Sequence, residues 1–525
     1  MVRTNLPVVP HAAAAPFTRR SLFALTAAGI AARTGETEAA TPQGQLTYGV
    51  HVSLAPSWFD PGEAAGIITP YMLLYALHDA LVKAMPDNKE APSLAESYSA
   101  SEDGLVHDFV LRPARFHNGD PVTSDDVKFS FERYHGASQS LLKQRVAAIE
   151  TPDPQHIRFR LKEPWPDFLT FYAGVSGAAW VVPRKYVTQV GDEGFKKAPV
   201  GAGPYRFVSF TPGVELVLEA FDGYWRQTPK VKRLVMKVIP DEATRLAALK
   251  RGEIDIAFSI RGELAAELEQ TPGLTLKPVV LQGVFCVYFV DQWNPKSPWY
   301  DVRVRRAAGL AIDCQTINEA LTRGYSHVTG NPFVPDMFEF YWQPPKPVHD
   351  PAQAKQLLAA AGYPNGFDAG FYNCDASYAN IAEAVVNNWG EVGIRSKLRP
   401  MERAAYIKSF AEKQYKNIIQ AGPGAFGNAA TRLESHAVTG GTFTYGSYPE
   451  LDELFRKQAG ELDYKRREAI LHEMQQIVHE RAIYAPIWQL AFLNGIGPRV
   501  AESSLGRIPG FPYTAPFDEL ALKSA

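Results

Sequence analysis

Between Thr123 and Tyr134 the apolar residues Val127, Phe131 and Tyr134 recur on one helical face. The turn Asn118-Gly119-Asp120-Pro121 leads into this stretch, and Thr123 with Asp126 three residues on has the form of a capping box, which predicts a helix starting just after Thr123. Further along, Leu216-Val217-Leu218 and Leu234 to Ile239 read as strands, the second apolar enough to be buried on both faces. Asp241 then caps a helix carrying Leu246 and Leu249 that stops at Gly252, and Ile254, Ile256 and Phe258 alternate as the next strand. Asp350 and Pro351 open a helix that ends at Gly362, with Pro364 beyond it. Tyr341 to Pro347, rich in proline, is an extended connector. Strands and helices thus mix along the whole chain, without a fixed repeat.

Length and composition place this pattern in a class. The chain has 525 residues, 46% hydrophobic and 21% charged, as an ordinary globular protein does. The first forty residues contain no Asp or Lys and set Arg19-Arg20 directly before an Ala-rich, mildly apolar stretch, which reads as a twin-arginine export signal over residues 1–40. That stretch is shorter than the roughly 20 apolar residues needed to span a bilayer. The mature chain of roughly 485 residues exceeds one core and predicts about three domains. Its formal charge moves from −2 to about −4 once the signal's four Arg and two Glu are removed. A mildly acidic surface without a basic run excludes nucleic acid as a partner class. Cys286, Cys314 and Cys374 are too few and too widely spaced for a disulfide framework or a Cys-x-x-Cys site, and read as buried thiols.

Candidate chemistry is sparse. His472 and His479 are seven residues apart, about 10 Å along a helix, too far to share one metal. Gly201-Ala202-Gly203-Pro204-Tyr205-Arg206 lacks the third glycine of a dinucleotide fingerprint. Neither a phosphate loop nor a nucleophile elbow is present. Asp125 and Asp126 have helix capping as their role, and His436 reads as a hydrogen-bonded structural residue. No metal, cofactor or catalytic residue is expected, which sets an exported enzyme behind a binding protein as the reading.

Five stretches carry a resemblance. The run from Phe116 to Tyr134, the turn Gly203-Pro204-Tyr205 with Tyr224-Trp225, Gly252-Glu253-Ile254-Asp255, Asp301 to Asp313, and Ala354 to Phe367 resemble, in order, the landmarks of the family 5 extracellular solute-binding proteins of ABC importers. The resemblance implies an α/β fold of periplasmic binding protein type II, with two lobes around a ligand cleft and an extra inserted domain. Mapped by landmarks, the first lobe takes residues 41–78, 183–276 and 490–525, the inserted domain 79–182, and the second lobe 277–489. It further implies a periplasmic monomer that captures a peptide, or a sugar-like, opine-like or chelate solute, for a membrane permease. Ser57-Trp58-Phe59-Asp60-Pro61 resembles the family's Leu-Asp-Pro loop, which makes Trp58 and Phe59 candidate contacts, with Trp293, Tyr445 and Trp488 of the same aromatic kind. The later loop Ala421 to Ala429 offers Phe426 and Asn428. Asn428 stands where peptide binders of the family carry an Asp for the peptide ammonium, and an amide there either faces a different solute or holds a turn.

Overall fold

The computed structural model describes residues 41–64, 68–136, 139–174, 177–422 and 427–524, without the side chains of 403 and 404. The expected export signal and Phe426 lie outside the described residues.

An 11-stranded sheet forms the backbone of the molecule, in two halves. The first half orders Tyr205–Thr211, Glu215–Ala220, Val231–Val238, Gln43–Val50 and Ile256–Ala257; the second orders Ile418–Ala421, Phe367–Asp375 and Ile394–Met401. Two long antiparallel strands, Thr275–Phe289 and Tyr484–Ile496, lie between them and belong to both. Their pairing holds from Thr275 to Val280, shifts, and resumes at Val284. This break is where the ladder has fewest bonds to resist bending. The apolar run predicted as a buried strand is Val231–Val238, paired on both sides, as its composition requires.

Beside the first half stands a four-stranded antiparallel sheet, Ala95–Ala100, Val106–Leu111, His156–Leu161 and Val146–Asp153. Val106–Leu111 alternates half-buried and buried residues, so Phe109 and Leu111 point inward. Phe109, Phe131, Phe159 and Tyr172 interlock there at centroid distances of 4.8 to 6.2 Å. Phe131 arrives on helix Ser124–Arg133, whose predicted start is present: the Asp126 carboxylate accepts from the Thr123 N–H at 2.9 Å. The predicted helices after Asp241 and Asp350 are Glu242–Lys250 and Pro351–Ala360, each capped by that aspartate. The strand expected from Ile254 to Phe258 is ladder-bonded only at Ile256–Ala257, because two bridges on either side suffice to seat it in the sheet's interior. All three cysteines are buried free thiols.

Candidate ligand-binding cleft

In the first half-sheet the parallel strands end level, Val50 opposite Val238 and Gly49 opposite Ala257. In the second, Asp375 ends opposite Met401. Their registers against the two crossing strands put both sets of carboxyl ends toward the break at Val280–Val284. Loops leaving such ends are freed from the ladder, and open α/β sheets take their ligands there.

A cavity of about 550 Å³ lies beside the break, with Gln282 in its wall. The hairpin of Val82–Met85 and Asn88–Pro92 contributes Lys89 and Glu90, while Glu339 and Asn428 come from chain of the second half. Burial first, then the neighbouring Glu339 and Asp167 carboxylates, hold Glu90 above the usual carboxylate range. Glu339 is raised in the same way, by burial and then by Asp167. The Lys89 ammonium, lowered by burial, donates to the Met337 carbonyl. The cavity therefore sets carboxylates and one ammonium around space of the size that encloses a small solute. A second recess of about 40 Å³, room for one water-sized group, is lined by Arg261, Tyr378, Asn380 and Trp488.

The model of the bacterial extracellular solute-binding proteins, family 5 (middle region), matches residues 89–442. The chain belongs to this family. As a family 5 solute-binding protein it is the capturing component of an ABC importer. It is 27% identical to heme-binding protein A of Haemophilus influenzae over 78% of this chain and 80% of that one. Against di/tripeptide-binding protein 2 of Pseudomonas aeruginosa the identity is 26%, over 84% and 89%. Among solved structures, the PBP AgaA of A. tumefacien R10 in complex with agropinic acid superposes with a TM-score of 0.73 at 25% identity, covering 92% of this chain and 99% of that one. NikA from Brucella suis in complex with Fe(III)-EDTA gives a TM-score of 0.78 at 21% identity, covering 92% and 100%, a likeness of fold. These relatives are binding proteins, and no helix among the described residues is long and apolar enough to cross a membrane.

Within this family 5 protein the aromatic candidates separate. Phe59 is 1% exposed, its ring 5.0 Å from Phe210 and 5.9 Å from Phe207 in the core of the first half, and Trp58 packs partly buried against the same core. Trp293 packs at a tilt on Tyr448, centroids 5.0 Å apart, and Tyr445 donates its N–H to the Tyr288 hydroxyl at 2.9 Å, both partly buried against the core of the second half. None of these four lines the large cavity. Trp488, fully buried, lines the 40 Å³ recess.

Asn428 does reach the large cavity's wall, as the cap of helix Ala429–Ala437. Its side-chain oxygen accepts from the Thr431 N–H at 3.3 Å, and its amide nitrogen donates to Asp167 Oδ1 at 2.6 Å. Glu339 lines the same wall, and its carbonyl accepts from the Ala429 N–H at 3.1 Å. Lys89, Glu90, Asp167, Glu339 and Arg467 were absent from the sequence-derived candidates. One signal for Arg467 exists: it occupies the buried row of helix Tyr464–Glu480 with Ile470, Leu471 and Met474, where a charge needs a partner. Asp167, before the apolar Phe168–Tyr172, reads from sequence only as a helix start.

Proposed function

We propose that the protein captures a small zwitterionic solute in the cavity beside Gln282 and hands it to a permease, with no catalytic step of its own. The observation that carries this reading is the cavity itself, about 550 Å³ with Glu90 and Glu339 set against Lys89. Carboxylates suit an ammonium and the lysine suits a carboxylate, so a short peptide fits both ends. The similarity to di/tripeptide-binding protein 2 over 84% of the chain supports that class. The similarity to AgaA in complex with agropinic acid favours a second reading, an opine-like or other non-peptide solute. Residues 41–78, 183–276 and 490–525 form the first lobe, 79–182 the inserted domain and 277–489 the second lobe, and the register break between Val280 and Val284 is the hinge on which solute biases closure.

Native mass spectrometry of the gently purified mature chain tests the ligand class. A ladder of peptide masses establishes the first reading and a single non-peptide mass the second. If the protein binds neither added tripeptides nor agropinic acid in calorimetry, and carries nothing, the capturing role at this cavity is refuted. Export is part of the same proposal: the protein acts in the periplasm as a monomer, delivered by its twin-arginine signal. Arg19→Lys with Arg20→Lys is expected to leave the precursor in the cytoplasm, and normal export of that variant overturns the assignment.

A further inference from the structure

Asp167 is 8% exposed and opens the short helix Phe168–Tyr172, on the side of the molecule built by the four-stranded sheet. Both its oxygens leave that side. Oδ1 accepts from Asn428 Nδ2 and Oδ2 from Arg467 Nη2, each at 2.6 Å and across 261 and 300 residues of chain. Arg467 is held for this contact: its Nε donates to Gln458 Oε1 at 3.0 Å and its guanidinium lies 5.1 Å from the Phe340 ring centroid. The orientation of Asn428 is equally fixed, since its oxygen is taken by the Thr431 N–H and only the NH₂ is left to face Asp167. On the same seam the Lys89 ammonium reaches the Met337 carbonyl.

We propose that Asp167 is a positioning residue that clasps the segment carrying it onto the second lobe, and that position 428 is an amide because it must donate to the Asp167 carboxylate. The fastening consists of protein groups alone, so it forms without solute and sets the gap in which solute is held. An aspartate at 428 would place a further carboxylate against Asp167, in a wall that already holds Glu339, and push the seam apart. The proposal rests on the cleft reading only for its purpose, because its test needs no solute.

The test is small-angle scattering and thermal unfolding of the mature full chain, stripped of solute by unfolding and refolding, for wild type, Asn428→Asp, Asp167→Asn and the double variant. Aspartate caps a helix as well as asparagine does, so Asn428→Asp changes the charge and keeps the cap. The expected result is a larger radius of gyration and a lower midpoint for Asn428→Asp, with the double variant returned toward wild type because amide and carboxylate are exchanged. An Asn428→Asp protein with the wild-type radius, or a double variant that shows the sum of the single effects, overturns the clasp. Should Asn428→Asp fail to fold, the cycle of Asp167→Asn with Arg467→Gln replaces it: at least tenfold coupling in the unfolding equilibrium constant supports the contact, and additivity rejects it. Failure here leaves solute capture standing, and failure to bind solute leaves the scattering result standing.

Discussion

Where Asp60, His117, Arg133 and the Gly201–Gly203 turn meet, most fastening groups lie in or beside stretches that carry the family's wording; Asp192, which also accepts from Arg133 at 2.7 Å, is the exception. Along the seam from Asp167 to Asn428 and Arg467, the fastening groups from the two sides lie in unrelated stretches. At the first junction Arg133, at the end of the capped helix, holds Asp60 through two hydrogen bonds of 2.8 and 2.6 Å. His117, from the turn before that helix, donates its N–H to the Gly201 carbonyl at 2.8 Å, and its ring lies 2.9 Å from the Gly203 carbonyl and 3.2 Å from the Gly201 nitrogen. The landmarks therefore recognise one another, in a static junction away from the cavity. The difference teaches that a family's most legible residues can encode how its parts are bolted together, while the groups that line this cavity lie outside the five landmark stretches.

The largest expected effect is at the bolt. Asp60 is fully buried, so Arg133→Ala strands an unpaired carboxylate and is expected to lower stability by about 3–5 kcal/mol, read as a fall in the denaturant midpoint. A loss within experimental error would mean that the ion pair is not what holds the Asp60 loop to helix Ser124–Arg133. Next is the turn. A Cβ on Gly201 would sit 1.9 Å from the Leu77 carbonyl oxygen and one on Gly203 2.5 Å from that of Ala76, so Gly201→Ala must move backbone. We expect a cost of about 1–3 kcal/mol from this overpacking, with Asn428→Asp costing less global stability than either variant at the junction.

This contrast also explains what could be read in advance. Local grammar was legible: the Thr123–Asp126 capping box, the Asp241 and Asp350 caps and the buried strand Val231–Val238 each depend on residues within a few positions. Fold class followed from the landmarks, because they are the parts that meet. The cavity was poorly legible, because its chemistry is assembled across hundreds of residues: Glu90 from a hairpin, Glu339 from an irregular segment, Asn428 from a helix cap. Aromatic residues were the natural sequence guess for a cleft, yet Phe59 and Trp293 pack in cores, where large apolar rings are worth as much.

Titration separates the two regions by sign. At the first, burial lowers His117 to about 3 and His78, whose ring hydrogen-bonds the Phe59 carbonyl, to about 4. These rings are neutral when folded and take up protons on unfolding once the pH drops below the ordinary histidine value of 6.5. Their contribution is complete above that value and is lost as the pH falls toward 4. Each such ring steepens the dependence by about 1.4 kcal/mol per pH unit. Replacing His117 by Asn is therefore expected to flatten the stability curve between pH 6 and 4 by about that slope, relative to wild type. An unchanged slope would place the acid sensitivity elsewhere.

The cavity wall has the opposite sense and the smallest effect. Glu90 and Glu339 are held above the ordinary carboxylate range, so the folded protein binds protons that the unfolded chain does not, and acidification strengthens this seam over the window just above pH 4.5. At neutral pH both are ionised beside Asp167 at a cost that Lys89 and Arg467 only partly offset. Glu339→Gln removes one of the crowded charges and keeps the side chain's size and polarity. It should raise neutral-pH stability by a few tenths of a kcal/mol, since Glu339 is exposed enough for solvent to screen most of the repulsion. The gain should vanish when the pH is lowered to 4, because the wild-type carboxyl is then protonated too. A variant less stable than wild type at pH 7 would mean that Glu339 is a needed partner of the clasp, beside the Asp167–Arg467 ion pair that fastens it.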